Sequence, residues 1–210
     1  MKNKDLIIPK QKKGSQNDYS KTKNVANGFK VESFYNSSGK KLIDINNWHE
    51  LCDAASAYFT LTDINGKEKS GDPEINDHIR IGIPGPGSIE GDSYDWVKIE
   101  AVKFSQFSGD YDASYLMMRP AENPFNKNGC TAHFLTSDST NTLIVEHDKD
   151  SVTASHHGRN ESANTGETDE LLEKVRHLVV ALGAKAGFSK VQWKILIDNI
   201  VEDKDETHNQ

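Results

Sequence analysis

The chain has 210 residues, a formal charge of −7 and 35% hydrophobic residues, which allows one core but a lean one. Its longest unbroken apolar run, Leu178 to Leu182, is far shorter than the roughly 18 residues that span a bilayer, and Leu6 to Ile8 is too short for the centre of a signal peptide. Membrane insertion is therefore excluded and a cytoplasmic location expected, with Cys52 and Cys130 as reduced thiols and no cysteine-based zinc site.

Residues 1–30 hold eight lysines against Asp5 and Asp18, a local charge of +6, which leaves −13 on the rest. Residues 1–28 are rich in Lys, Asn, Ser and Gln and read as a flexible basic arm. The favoured reading of this arm is a solvated leader, and it is the one part of the chain that could contact nucleic acid. The folded α+β domain is expected over residues 29–202, followed by a flexible acidic tail over 203–210.

In chain order, Phe29, Val31 and Phe34 predict a first strand, Asn36 to Gly39 a turn, and Leu42 to Ile45 a second strand. Asn47 with Glu50 three residues on has the form of a capping box, which predicts one short helix over Trp48 to Ala57. Strands follow at Tyr58 to Thr62, Ile79 to Ile83, Trp96 to Phe104, Ser114 to Met118 and Thr131 to Leu135. The last pair, Thr142 to His147 and Ser151 to His156, is expected as a hairpin turning at Asp148-Lys149. That register sets Val145 opposite Val152 and Leu143 opposite Ala154, with all four on the buried face.

Beyond it the apolar period lengthens to about 3.6: Leu171, Val175, Leu178, Val179 and Leu182 predict one helix. Ser189 with Gln192 then caps a closing helix over Lys190 to Val201, onto which Phe188 staples against Trp193. The fold class is thus α+β: a mainly antiparallel sheet or partly open barrel, a C-terminal helical hairpin and one short N-terminal helix.

Motifs that carry chemistry are sparse. Ile83 to Gly91 is glycine-rich, but it lacks the Lys-Ser/Thr ending of a phosphate loop, and Glu90 stands where a dinucleotide fingerprint needs its third glycine. His133, His147 and His156 have no metal-ligand spacing, and no cofactor or metal is expected. The acidic loops lack the calcium-loop pattern, and Ser155 has no nucleophile elbow.

The densest polar group is His156, His157, Arg159, Asn160 and Glu161, where the last strand meets the helical region. There a guanidinium beside an imidazole could hold a carboxylate or phosphate. Strand alternation points His156 and His157 to opposite faces, so only one of them meets a given ligand. The sequence reading therefore favours a non-catalytic binding or assembly module acting through protein–protein contacts or self-association. A small-molecule enzyme or anion-binding protein using that strand-loop junction is the alternative.

Overall fold

The computed structural model describes residues 7–25, 28–52, 57–82, 91–109, 111–126, 129–164 and 189–202. Among these, seven strands form one antiparallel sheet: β1 (Ser15–Asn24), β2 (Tyr58–Thr62), β3 (His78–Gly82), β4 (Asp95–Lys103), β5 (Ala113–Pro120), β6 (Thr140–Asp148) and β7 (Ser151–Glu161). Their spatial order is β1-β7-β6-β5-β4-β3-β2. Helices α1 (Gly28–Ile43) and α2 (Trp48–Leu51) lie between β1 and β2 in the chain, and α3 covers 189–200.

The sheet turns one face inward. Leu61, Ile79, Ile99, Leu116, Leu143, Val145, Val152 and Ala154 come from six strands and are buried on that face, as period-two alternation requires. Against them α3 sets Trp193, Leu196, Ile197 and Ile200, spaced three and four apart on one helical stripe. From α1 come Val31, Tyr35 and Leu42, also at helical spacing. Lys41 ties the two helices together: its ammonium donates to the Glu202 carbonyl at 2.7 Å, just past the end of α3, where a cation suits the helix dipole. The architecture is the expected α+β one, a mainly antiparallel open sheet with a C-terminal helix. No helix among the described residues is long and apolar enough to cross a membrane.

Five local expectations are corrected. Residues 15–24 are not a flexible arm but an edge strand, paired along β7 from Asn24↔Ser151 to Ser15↔Glu161. The pairing needs little apolar burial because it is made of backbone bonds and polar contacts. Thr22 and Thr153 hydroxyls meet at 2.8 Å, and the Asp18 carboxylate holds Arg159 at 2.8 Å and His157 at 2.6 Å.

Residues 29–45 form helix α1 and a following turn of 3-10 helix (Ile45–Asn47) rather than two strands. Gly39, read as a turn residue, is helical. A Cβ there would stand 3.0 Å from the Phe104 ring and 3.2 Å from the Ser114 hydroxyl, so the glycine lets the helix lie close on the sheet. Helix α2 is a single turn ending at Leu51, because Asn47 spends its amide on the Asp44 carboxylate rather than capping and Cys52 is already extended.

Thr131 to Leu135 is not a strand. Ala132 bonds singly to Trp96 and Ala121, and Leu135 makes an isolated bridge to Ala163.

The β6–β7 hairpin turns at Lys149-Asp150, with Asp148 opposite Ser151, Val145 opposite Ala154 and Leu143 opposite His156. The two-residue slip from the expected register preserves which residues face inward. The predicted helix around Leu171 to Leu182, the stretch 83–90 and the tail 203–210 lie outside the described residues.

Candidate functional site

Where α3 crosses the inward face, the sheet and helix do not close completely. They leave a narrow cavity of about 30 Å³, within about 490 Å³ of non-atom space that includes the open mouth. Its apolar wall is Phe59 from β2, Ile81 from β3, Val97 from β4, Met118 from β5 and Trp193 from α3. Alternation explains why each strand supplies one inward side chain here; β6 supplies a polar one, Asn141, directly opposite Met118. Gln192 and Ser189 reach in from α3, and His133 and Phe134 from the loop before β6.

The polar groups are a mixture of donors and acceptors. His156 is fully buried, its ring stacked on Trp193 at 5.3 Å and 12°, and its Nε2 lies 2.8 Å from the Asn141 Oδ1. An amide oxygen only accepts, so the imidazole donates through Nε2 and keeps its lone pair at Nδ1, which is buried without a partner. Burial, with the positive charges of His157 and Arg159 adding and Asp18 opposing, drives its pKa down to about 3. His156 is neutral at physiological pH. Its bond orients Asn141, whose amide nitrogen makes no hydrogen bond among the described residues and belongs to a residue lining the cavity.

Gln192, 4% exposed, accepts the Ala57 backbone N–H on its Oε1 at 3.0 Å, while its Nε2 is buried with no partner among the described residues. His133 accepts the Leu135 N–H on Nδ1 at 2.9 Å and stacks on Phe134. The site is an aromatic and aliphatic slot whose described lining includes two primary amides, Asn141 and Gln192, and no Asp, Glu, Lys or Arg.

The five residues singled out from the sequence are split by the strand. Only His156 faces inward. His157 and Arg159 share the opposite face with Ser155; His157 Nε2 lies 3.1 Å from the Ser155 hydroxyl and its Nδ1 2.6 Å from Asp18. Burial opposes the charge on Asp18, but Arg159 and His157 outweigh it and hold the carboxyl below its usual range. This hydroxyl–imidazole–carboxylate chain has a buried serine, 3% exposed, and fastens β1 to β7.

Asn160 sits at the register slip with φ 56°. It accepts the Lys12 and Lys13 N–H groups at 2.7 and 3.2 Å and donates to the Lys10 carbonyl at 3.2 Å. Glu161 meets the Ser15 hydroxyl at 3.3 Å, and burial raises its carboxyl. The sequence reading missed Asn141 and misassigned Gln192 to a helix cap. No motif marks either; only the inward alternation through Leu143 pointed toward Asn141.

No family model matches the chain, and no curated protein matches it in sequence. Solved structures do resemble it. A hypothetical protein from Helicobacter pylori aligns with TM-score 0.51 at 11% identity, covering 90% of this chain and 87% of that one. The chain shares this α+β fold, an open antiparallel sheet with a C-terminal helix, and its structural neighbours are of the helix-grip type. Weaker likenesses of the helix-grip type are the ZhuI aromatase/cyclase from a Streptomyces species (TM-score 0.44, 8% identity, 88% and 94% covered) and norcoclaurine synthase from Thalictrum flavum (0.39, 13%, 93% and 100%).

The reading as a non-catalytic assembly module is corrected in favour of its alternative, a small-molecule site, because the inward face leaves a mostly apolar cavity beneath α3.

Proposed function

We propose that this protein binds a small, largely apolar and uncharged molecule, bearing a carbonyl or phenol oxygen, in the cavity between the inward sheet face and α3. The observation that carries the reading is Gln192 Nε2, a buried donor with no partner among the described residues, in a lining shared with the Asn141 amide. Leaving such a donor unsatisfied costs about 1 to 3 kcal/mol, which a ligand oxygen returns. The ring faces of Phe59 and Trp193 suit a flat or aromatic body, and the absence of charge among the lining residues suits a neutral one. In this reading His156 is a positioning residue that holds Asn141 in place.

A panel of neutral aromatic aldehydes, ketones and phenols tests this by tryptophan fluorescence and thermal shift. Active compounds raise the melting temperature of the native protein and lose this effect in Val97→Phe, which fills the slot. Equal binding by Val97→Phe, or silence across the panel at millimolar concentration, overturns the proposal.

A further inference from the structure

A second concavity lies where the segment leading into β1 passes over the ends of β5 and β7, with Arg119 on the opposite sheet face from Met118. Its walls are Pro9, Lys10, Lys12, Lys13, Arg119, Asp138 and Asn160, around about 770 Å³ of space, open solvent included. Four cations and one carboxylate give the lining a charge of +3, on a chain whose total is −7.

The cations are held in place rather than merely clustered in sequence. Asn160 grips the backbone of Lys10, Lys12 and Lys13 through both ends of its amide, and its own N–H donates to the Gln11 side chain at 2.9 Å. Gln11 returns bonds to the carbonyls of Lys13 at 2.6 Å and Gly14 at 3.1 Å. Arg119 is fixed from the opposite wall by Glu100 at 2.7 Å and the Ser137 carbonyl at 2.8 Å, with its remaining terminal nitrogen unbonded. Lys13 pairs with Asp138 at 2.5 Å, and that pairing holds the Asp138 carboxyl below its usual range. Among the described residues the ammonium groups of Lys10 and Lys12 have no ion-pair partner.

We infer that this cleft is a binding site for a small, multiply charged oxyanion of the phosphate class, such as a pyrophosphate or phosphate monoester group. A monoanion competes poorly with Asp138, which already occupies Lys13. A di- or trianion spans Lys10, Lys12 and the open edge of Arg119 at once, and phosphate oxygens suit such a mixed lysine and arginine set. The concave shape favours a free small molecule over an extended polymer. The site is separate from the cavity under α3, and neither needs the other.

Isothermal titration with pyrophosphate at low ionic strength, paired with thermal shift against potassium chloride at matched ionic strength, tests the inference. The wild-type chain binds pyrophosphate and melts a few degrees higher once the ligand is well above its Kd. The double variant Lys10→Gln with Lys12→Gln alters only exposed side chains and weakens binding about tenfold. Asn160→Gly keeps the left-handed backbone and every lysine but removes the pins, and it also weakens binding. An equal response in wild type and the double variant shows a general salt effect and overturns the site. A response to single-stranded oligonucleotide or anionic vesicles but none to pyrophosphate overturns the small-anion assignment.

Discussion

Acid titration of stability reads the state of His156 directly. The unfolded imidazole takes up a proton near pH 6.5, whereas the folded one, buried beneath Trp193, does so only near 3. Between those values the unfolded chain holds more protons than the native one, so stability is fully present above pH 6.5 and is lost as the pH falls. One such group removes about 2 kcal/mol between pH 7 and pH 5, at a limiting slope of about 1.4 kcal/mol per unit. Urea denaturation followed by tryptophan fluorescence at both pH values measures the loss as a shift in midpoint at constant slope. Other groups titrate over the same range, so the decisive quantity is the difference from His156→Gln, which stays neutral and still offers Asn141 a donor. The variant should lose about 2 kcal/mol less on acidification. An identical pH dependence in both proteins would mean that His156 is solvated or already charged in the native state, and the oriented Asn141 amide would go with it.

Two further expectations concern single side chains. Gln192→Met removes the acceptor for the buried Ala57 N–H but also removes the orphan Nε2, two terms of about 1 to 3 kcal/mol with opposite signs; stability by urea denaturation should move by less than about 1 kcal/mol. A loss above about 3 kcal/mol would show that Nε2 is bonded in the native protein. Asp18→Asn weakens the β1–β7 fastening by less than about 1 kcal/mol, since the carboxylate is 43% exposed. Because that carboxyl is held low in the fold, the wild-type advantage is present above the usual carboxylate value of 3.8 and vanishes as the pH falls through the folded value; denaturation at pH 6 and pH 3 reads it.

The parts of this fold visible in the sequence are those built on apolar periodicity. Leu143, Val145, Val152 and Ala154 alternate clearly enough that even a misplaced turn left them on the correct face, because a slip of two residues is silent in a strand. Trp193, Leu196, Ile197 and Ile200 likewise declared α3. What stayed hidden depended on partners far along the chain. Asn36 to Gly39 carries turn chemistry, and only the approach of Phe104 and Ser114 makes a helical glycine useful there. β1 has almost no apolar pattern, since its stability comes from backbone pairing with residues more than a hundred positions away.

The site divides in the same way. His156 stood out because it neighbours Arg159 in sequence, yet its working companions are Asn141 on β6 and Trp193 on α3, while Arg159 serves the opposite face. Polar groups contributed one per element leave no local signature.

The edge position of β1 bears on how this protein is handled. Trimming the lysine-rich start back to Phe29, as one would a dispensable leader, strips β7 of its neighbour and leaves the open side of an eleven-residue strand ready to recruit any extended chain. In the intact protein the outermost strand is polar and carries Lys21 and Lys23, charges that discourage such recruitment. Its apparent plainness is what keeps neighbouring molecules apart.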